Sequence, residues 1–451
     1  MKSIHILFTL CLLLSSCGIY TKYERPDVAV DSTYRDVQNV DTTSLAQMHW
    51  REFFTDKKLQ QLIELGLTQN TDFQVALLQI EAAQATLRSA RLTYMPSLDF
   101  VAEGGVSRYN GTTKKTHSLG LEAAWEIEIF GKTTNAKRGA AAALEASAAY
   151  AQAVKTQLVA TIADSYYTLL MLDEQLKISE ATLINWDSTI AALEVLARAG
   201  QSNDVAVHQA KANRIELEAS ILTIKNNITA TENSLSALLK ESPHVIDRGT
   251  LEHQEFTDSL LVGIPIQLLA NRPDVRQAEF NLAETFYATN SARSAFYPTL
   301  SLSGTLGWTN SGGSTIINPG KWLASAAAQL TSPIFNKGAN RANLQIAKAS
   351  QQQALLQFEQ AILDAGNEVN DALSACQCSR ARIDLDKAQI EQLQAAVDKT
   401  DLLMRYSSIN YLEVLTAQQS LLSAQLTLAE DQIEFFKNIT NLYHSLGGCT
   451  E

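Results

Sequence analysis

The chain has 451 residues, of which only 20 are glycine and 8 are proline, too few turn-forming residues for an all-β or loop-rich protein. The 46% of apolar residues indicates a folded chain rather than a disordered one. Acidic residues outnumber basic ones by 48 to 36, a net charge of −12. No basic cluster is interleaved with aromatic residues, which argues against nucleic acid as a partner.

The first 17 residues have the pattern of a lipoprotein signal. Lys2 precedes a mostly apolar stretch, from Ile4 to Leu14, that is too short to span a bilayer. The sequence Leu-Ser-Ser-Cys then predicts that residues 1–16 are a signal peptide and that Cys17 is acylated; the alternative is an ordinary secretory signal cleaved nearby. The rest of the sequence has no run of about 18 apolar residues, so it predicts no membrane-spanning helix.

The first half of the chain changes from helical to strand periodicity and back. Apolar and polar residues alternate over about 97–109 and about 117–129, and this pattern predicts two strands. In the second segment the apolar positions include Leu119, Leu121 and Trp125. The segment 110–113 (Asn-Gly-Thr-Thr) is the predicted loop. A long helical hairpin is predicted over 136–242, with apolar residues spaced three and four apart. These elements define a first repeat over 17–242.

The second half repeats this plan after a linker at 243–274. Ala90-Arg91 and Pro96 correspond to Ala292-Arg293 and Pro298, which indicates an internal duplication. The second repeat, 275–451, has predicted strands at about 299–309 and 322–334 and a hairpin over 339–446. Each Pro-free hairpin contains a first helix of roughly 100 Å.

The four predicted strands have the length and alternation of outer-membrane β-strands. Four strands cannot close a barrel, and an open edge is not tolerated in lipid. Two chains would give eight strands and no aqueous lumen, whereas three would give twelve and leave one. Trp125, Trp308 and Trp322 are candidates for an interfacial aromatic belt; the alternative is ordinary packing in a soluble sheet.

Over almost its whole length the chain resembles the TolC-like outer membrane factors, in particular their NodT/OprM-like lipoprotein branch. The segments that carry the resemblance are Trp50 to Leu62, Asn70 to Asp72, Tyr94 to Leu98, Trp125 to Gly131, Gly263 to Glu279, Phe296 to Leu300 and Pro333 to Phe335. The resemblance implies a mostly helical fold with a transmembrane β-barrel portion. A homotrimer would form a 12-stranded barrel in the outer membrane and a 12-helix periplasmic tube.

The resemblance also implies partners and a role. Such a protein is a passive export duct that docks to a periplasmic membrane-fusion adaptor and an inner-membrane pump of the RND type. The two hairpin turns would form the adaptor-contacting tip. The tip residues are Arg198, Gly200, Gln201, Ser202, Arg405, Ser407 and Ser408. Gly200 matches the family's usual turn glycine, whereas Ser407 departs from it.

Three residues after the second turn match family positions that line the periplasmic constriction: Leu412, Glu413 and Thr416. The family has acidic residues at the last two, and Thr416 departs from that pattern. Residues 413 and 416 share a helix face, and threefold symmetry would make Glu413 a ring of carboxylates that favours cations. The alternative is that Glu413 is a solvated charge outside the tube.

Catalytic and metal-binding motifs are missing from the sequence. The seven histidines have no metal-ligand spacing, and no phosphate-binding loop or nucleophile elbow is present, so we expect neither an enzyme nor a cofactor. Cys376, Cys378 and Cys449 are interpreted as packing residues. Alternatives to drug efflux are an exit duct for secreted protein or metal ions, and a structural coiled-coil lipoprotein without a channel.

Overall fold

The structure is a computed structural model, and it describes residues 22–26, 48–200, 204–251, 254, 272–309, 322–406 and 411–448. These residues form eight helices and four strands. No helix within the described ranges combines the length and the apolar character that crossing a membrane requires. The helices are α1 (Trp50–Phe53), α2 (Lys57–Gln69), α3 (Thr71–Leu92), α4 (Lys132–Arg198), α5 (Asp204–Leu238), α6 (Pro273–Ser294), α7 (Ala339–Tyr406) and α8 (Tyr411–Ser445).

The first hairpin begins and ends earlier than the sequence predicts. Helix α4 starts at Lys132 rather than 136, where the Glu128 carboxylate accepts a hydrogen bond from the backbone N–H of Thr133 at 2.6 Å and so satisfies a helix N-terminal donor. Helix α5 ends at Leu238 rather than 242, because Lys240 adopts a positive φ of 59°, which a helix cannot continue.

The strands are β1 (Ser97–Tyr109), β2 (Thr112–Ile127), β3 (Thr299–Thr309) and β4 (Trp322–Thr331). They form one antiparallel sheet in the order β1-β2-β3-β4. The central pair, β2 with β3, therefore joins strands from the two repeats. Strand β4 ends at Thr331, short of the predicted 334, because Pro333 has no N–H to donate to a sheet.

The predicted four-residue loop between β1 and β2 is wrong. Tyr109 pairs directly with Thr112, so only Asn110 and Gly111 form the turn. Both have positive φ, 49° and 81°, the backbone of a two-residue hairpin for which Asn-Gly is the favoured sequence. Strand β2 consequently starts at Thr112 rather than 117. Its other end also differs from the prediction, at Ile127 rather than 129.

One face of the sheet is continuously apolar and exposed. Phe100 pairs with Leu121, Leu121 with Leu306, and Leu306 with Ala324, and the first three side chains are 68%, 43% and 47% exposed. The opposite face carries Asp99, Glu122, Thr305 and Ser325 in the adjacent register. The sheet thus has one apolar and one polar face, and both lie open in the chain.

A glycine pair permits close approach of β2 and β3 on the polar face. Gly120 and Gly307 are register partners. A Cβ on Gly307 would lie 2.6 Å from the Cα of Gly120 and would also overlap the carbonyl oxygen of Leu119. These positions therefore require glycine for space rather than for an unusual φ.

Gly307→Ala is expected to lower the free energy of unfolding by about 1–3 kcal/mol, the usual cost of forcing an extra carbon into a packed site. The matched control is Gly304→Ala, where an added Cβ would meet nothing closer than the Ser325 carbonyl oxygen at 3.6 Å. Thermal unfolding of the purified proteins in detergent measures both. Equal effects of the two substitutions would contradict the close-approach interpretation.

The chain divides into two compact units. The first, comprising residues 1–29, 78–149 and 276–361, contains the sheet, and its buried residues include Leu282 and Phe358. The second comprises residues 30–77, 150–275 and 362–451. Its core includes Trp186, Ile190, Leu193, Ala206, Val207, Ala210, Leu217, Ile221, Leu415 and Leu422.

In the second unit, ion pairs fix the pairing of α4 with α5. Glu180 binds Lys225 at 2.9 Å, Asp187 binds Arg214 at 2.5 Å and Glu194 binds Lys211 at 2.7 Å. The residue numbers rise on α4 as they fall on α5, so the two helices are antiparallel, as a hairpin requires.

Candidate channel surfaces and hairpin ends

The three predicted constriction residues lie in the first turns of α8. Leu412, Glu413 and Thr416 are exposed, whereas Val414 and Leu415 between them are buried. Burial of the intervening pair fixes the orientation of this turn, because neighbouring helix positions point in different directions. Glu413 and Thr416 therefore lie on an exposed face of α8.

The first hairpin turn starts as a glycine-capped helix end. Arg198 is the last residue of α4, and the N–H of Gly200 donates to the carbonyl oxygen of Ala197 at 3.0 Å. Gly200 has a φ of +71° with open space around it, which is the left-handed geometry that glycine supplies after a helix. Gly200 therefore ends α4 as a C-terminal cap.

Several predicted site residues lie outside the described residues. These are the lipidation residue Cys17 and four turn residues, Gln201, Ser202, Ser407 and Ser408. Arg405 belongs to α7, next to the last residue of that helix. Of the predicted site residues, Leu412, Glu413 and Thr416 lie close together on α8. Arg198 and Gly200 lie close together at the C-terminal end of α4.

The interpretation of the cysteines as packing residues is correct for Cys376 and wrong for Cys378, and Cys449 lies outside the described residues. Cys376 is buried on α7 and packs as predicted, but Cys378 is exposed, because two residues further along a helix the side chain points away from the buried face. Burial raises the pKa of the Cys376 thiol to about 12, so that it stays protonated and unreactive. In the part of the chain that the structure describes, no group of His, Cys, Asp or Glu has a metal-binding arrangement.

The tryptophans occur at both ends of the apolar face. Trp308 and Trp322 are register partners with ring centroids 5.8 Å apart. Trp125 lies further along β2, is 39% exposed, and donates its indole N–H to the Tyr94 carbonyl oxygen at 3.0 Å. The apolar face of β2 from Leu119 to Ile127 covers nine residue positions, which matches the length of about 9–11 residues that a tilted strand needs to cross the apolar core of a membrane.

Sequence reasoning missed the buried charges of the linker. Arg248 donates two hydrogen bonds to Asp173, at 2.5 and 2.9 Å, and one to Glu232 at 2.5 Å. Arg272 donates to the Ser445 carbonyl oxygen at 2.7 Å, and its side chain is only 5% exposed. The linker is therefore packed into the second unit at these arginines. The sequence shows these arginines, but it does not show which distant residues they bind.

A buried carboxyl on α4 was also missed. The Oδ1 atom of Asp164 is buried and has no hydrogen-bond partner within the described ranges. Burial raises the pKa of this carboxyl from 3.8 to about 6, and the charge of Lys437 offsets only part of the effect. The ionised form is consequently less favourable in the folded protein than in the unfolded chain.

Asp164→Asn is therefore expected to raise the free energy of unfolding at pH 7 by about 1–3 kcal/mol. The gain should shrink as the pH falls from about 6 to about 4, because the wild-type carboxyl becomes protonated first in the folded state. Urea unfolding of both proteins across this range measures the difference. A difference that stays constant with pH would contradict the assignment.

Comparisons with known proteins identify the family to which the chain belongs. The model of the outer membrane efflux protein family matches residues 62–240 and 264–448. The cation efflux system protein CusC of Escherichia coli K12 is 30% identical over 448 residues, covering 98% of each chain. The solvent efflux pump outer membrane protein SrpC of Pseudomonas putida is 28% identical over 452 residues, covering 97% of this chain and 96% of SrpC.

A solved structure extends the similarity to the whole fold. The outer-membrane channel OprN superposes with a TM-score of 0.88 at 28% identity, covering 96% of this chain and 99% of OprN. The likeness includes both the helices and the four-stranded sheet. The chain therefore belongs to the outer membrane efflux protein family and is an outer-membrane component of an efflux system.

Proposed function

We propose that three copies of this chain form a passive export duct whose 12-stranded barrel lies in the outer membrane. The apolar face of the sheet carries this proposal. Large side chains such as Phe100, Leu121 and Leu306 stay exposed on it, and a lipid-facing surface needs that pattern. A structural coiled-coil lipoprotein would have no use for it. The edges of β1 and β4 pair with neighbouring copies, because lipid does not tolerate open edges.

The helical hairpins continue the duct as a 12-helix periplasmic tube. Their ends dock to a membrane-fusion adaptor and, through it, to an inner-membrane pump of the RND type that supplies the energy. Gly200 supports this assignment because it is exposed, with open space around its Cα, and so offers bare backbone for close approach of another protein. The contacting residues in this proposal are Arg198, Gly200, Gln201, Ser202, Arg405, Ser407 and Ser408.

An acyl anchor at Cys17 adds a second attachment to the outer membrane. The Leu-Ser-Ser-Cys sequence supports this proposal. Labelling cells with radioactive palmitate tests it: we expect label on the wild-type protein and none on Cys17→Ser. Equal labelling of both proteins would overturn the assignment.

The cargo is selected by the pump rather than by this chain, since the relatives are named for different cargoes, cations for CusC and solvents for SrpC. Deletion of the chain tests the export role. We expect hypersensitivity to amphipathic drugs, dyes or detergents. Hypersensitivity to metal ions alone would favour the metal-ion alternative, and a normal toxicity profile with a missing secreted protein would favour the protein-exit alternative.

Glu413→Gln is expected to lower the cation-to-anion permeability ratio of the duct to about half or less, because threefold symmetry makes Glu413 a ring of three carboxylates. The control is Asp204→Asn, which removes an exposed acid at the start of α5, in the other hairpin. Reversal potentials in planar bilayers measure the ratio. An unchanged ratio for Glu413→Gln would put this carboxylate outside the conducting path.

A further inference from the structure

The second helical hairpin, formed by α7 and α8, has a packing seam that contains one charged residue. From Ile362 to Thr400 on α7, buried and half-buried residues recur at alternating spacings of three and four, which is the periodicity of a coiled-coil seam. Asp386 is the single charged side chain at these positions, where a seam normally has apolar residues. The seam residues are Ile362, Ala365, Val369, Ala372, Cys376, Ser379, Ile383, Asp386, Ile390, Leu393, Val397 and Thr400.

Asp386 meets a second acid on α8. The side chain of Asp431 is only 3% exposed, and its carboxyl lies within hydrogen-bond distance of the Asp386 carboxyl. The Oδ2 atom of Asp386 is buried and has no donor within the described ranges. Two ionised carboxylates are both acceptors, so these two groups can satisfy each other only if one of them carries a proton.

The register of the hairpin holds the two acids together. Asn438 of α8 donates to the Ser379 hydroxyl of α7 at 3.3 Å, and Arg382 binds Glu434 at 3.1 Å one turn further along. The residue numbers rise on α7 as they fall on α8, and the next step of this ladder is the pair of acids. The two carboxyls are therefore held face to face by the packing of the helices on both sides of them.

Arg382 does not neutralise the acids that surround it. Its guanidinium binds both Asp431 and Glu434, and its own side chain is 47% exposed to water. In the part of the chain that the structure describes, three carboxyls, with that of Asp386 included, therefore share this one arginine. An excess of negative charge at one site favours protonation of one of its carboxyls.

The third helix at this level, α4, presents groups that already have partners. Gln175 donates to the carboxylate of Glu430, next in the chain to Asp431, at 3.0 Å. Glu174 and Lys177 form an ion pair of 3.2 Å with each other. The charge of the two acids is therefore balanced within the second hairpin, by Arg382 and a proton.

The proton is bound more tightly in the folded protein than in the unfolded chain. Burial raises the pKa of Asp431, and the adjacent Asp386 carboxyl adds to the effect, whereas the charge of Arg382 opposes it. An aspartate in an unfolded chain has a pKa of about 4. The stability that the proton supplies is thus complete below about pH 4 and is lost as the pH rises through the higher value of the folded state.

We propose that Asp386 and Asp431 share one proton, and that its loss loosens the pairing of α7 with α8 as the pH rises. With the proton, one carboxyl donates a short charge-assisted hydrogen bond to the other. Without it, two like charges meet in a buried seam. The titration belongs to the pair rather than to either residue. The proposal concerns the hairpin alone and does not depend on the assembly of a duct.

The first hairpin supplies a matched control. Glu180 of α4 lies 18 residues before Arg198, and Asp386 lies 19 residues before the corresponding Arg405. At this level the first hairpin has an ion pair of opposite charges, Glu180 with Lys225 at 2.9 Å. Both of these groups are ionised from about pH 5 to about pH 8, so this pairing needs no shared proton.

Hydrogen–deuterium exchange of the full-length wild-type protein at pH 5 and pH 7.5 tests the proposal, with labelling times scaled to the intrinsic exchange rates. We expect protection of the amides around Asp386 and Asp431 to fall about three- to tenfold more between the two pH values than protection around Glu180 and Lys225. An equal change in the two hairpins would overturn the proposal. This comparison needs no variant and therefore does not depend on one folding.

Asp386→Asn should remove the extra pH response of the second hairpin, because the asparagine amide donates to an ionised Asp431 without a shared proton. Glu434→Gln is the control: it removes an acid that binds the same arginine but leaves the pair intact, so we expect the wild-type response. A wild-type response in Asp386→Asn would overturn the proposal. Loss of the response in Glu434→Gln would also overturn it, since the response would then follow the charge balance around Arg382.

Discussion

Replacing Leu121 with arginine is expected to prevent stable insertion of the chain into the outer membrane. Leu121 lies in the middle of the apolar face, between its register partners Phe100 and Leu306. A charged side chain on the lipid side of a barrel at the bilayer midplane costs about 2–4 kcal/mol, and each copy in a trimer would carry this cost. The amount of folded, heat-modifiable protein in outer-membrane fractions measures the effect.

The control for this substitution is the next residue. Glu122→Arg introduces the same side chain on the polar face, opposite Asp99, where it remains in water and faces a carboxylate. We expect insertion at the wild-type level. An equal loss in both variants, or no loss with arginine at position 121, would contradict the assignment of the two faces.

Replacing Arg248 with methionine is expected to lower the free energy of unfolding by about 3–5 kcal/mol, the usual cost of breaking a buried charge pair from one side. The side chains of Arg248 and Glu232 are only 13% and 9% exposed, so the substitution leaves the Glu232 carboxylate buried without its partner. Methionine keeps most of the side-chain volume, which separates the charge effect from a packing loss. Chemical unfolding in detergent measures the change.

Lys58→Met is the control for Arg248→Met. Lys58 forms an ion pair of 2.7 Å with Asp247, next in the chain to Arg248, but the two side chains are 40% and 84% exposed. Exposed pairs contribute about 0–1 kcal/mol, so we expect a small effect. A loss from Lys58→Met as large as that from Arg248→Met would show that burial is not what makes Arg248 important.

Local periodicity predicted the four strands and the two long helical hairpins of this fold, but not the short helices α1 and α2. The alternation of Leu119, Leu121 and Trp125 with polar residues marks β2, because a strand places successive side chains on opposite faces. The same signal is weak from Thr112 to Ser118, where both faces are polar, and the start of β2 was predicted too late for that reason. The Asn-Gly turn was a usable signal, since this dipeptide favours a two-residue hairpin.

Contacts between distant residues could not be predicted in the same way. Arg248 binds Asp173 and Glu232, and Arg272 binds Glu368, across separations that no local pattern encodes. The docking of Tyr23 onto Phe286 is equally non-local. Sequence reasoning therefore located the strands and the long helices but missed these contacts between distant residues.

The most direct test of the channel assignment is one experiment on the purified full-length protein. Its particle mass is measured in detergent, and the same preparation is then inserted into a planar bilayer for single-channel recording. We predict a particle of three chains that conducts ions, because twelve strands leave an aqueous lumen and eight do not. A particle of one or two chains, or a three-chain particle that does not conduct, would contradict the assignment.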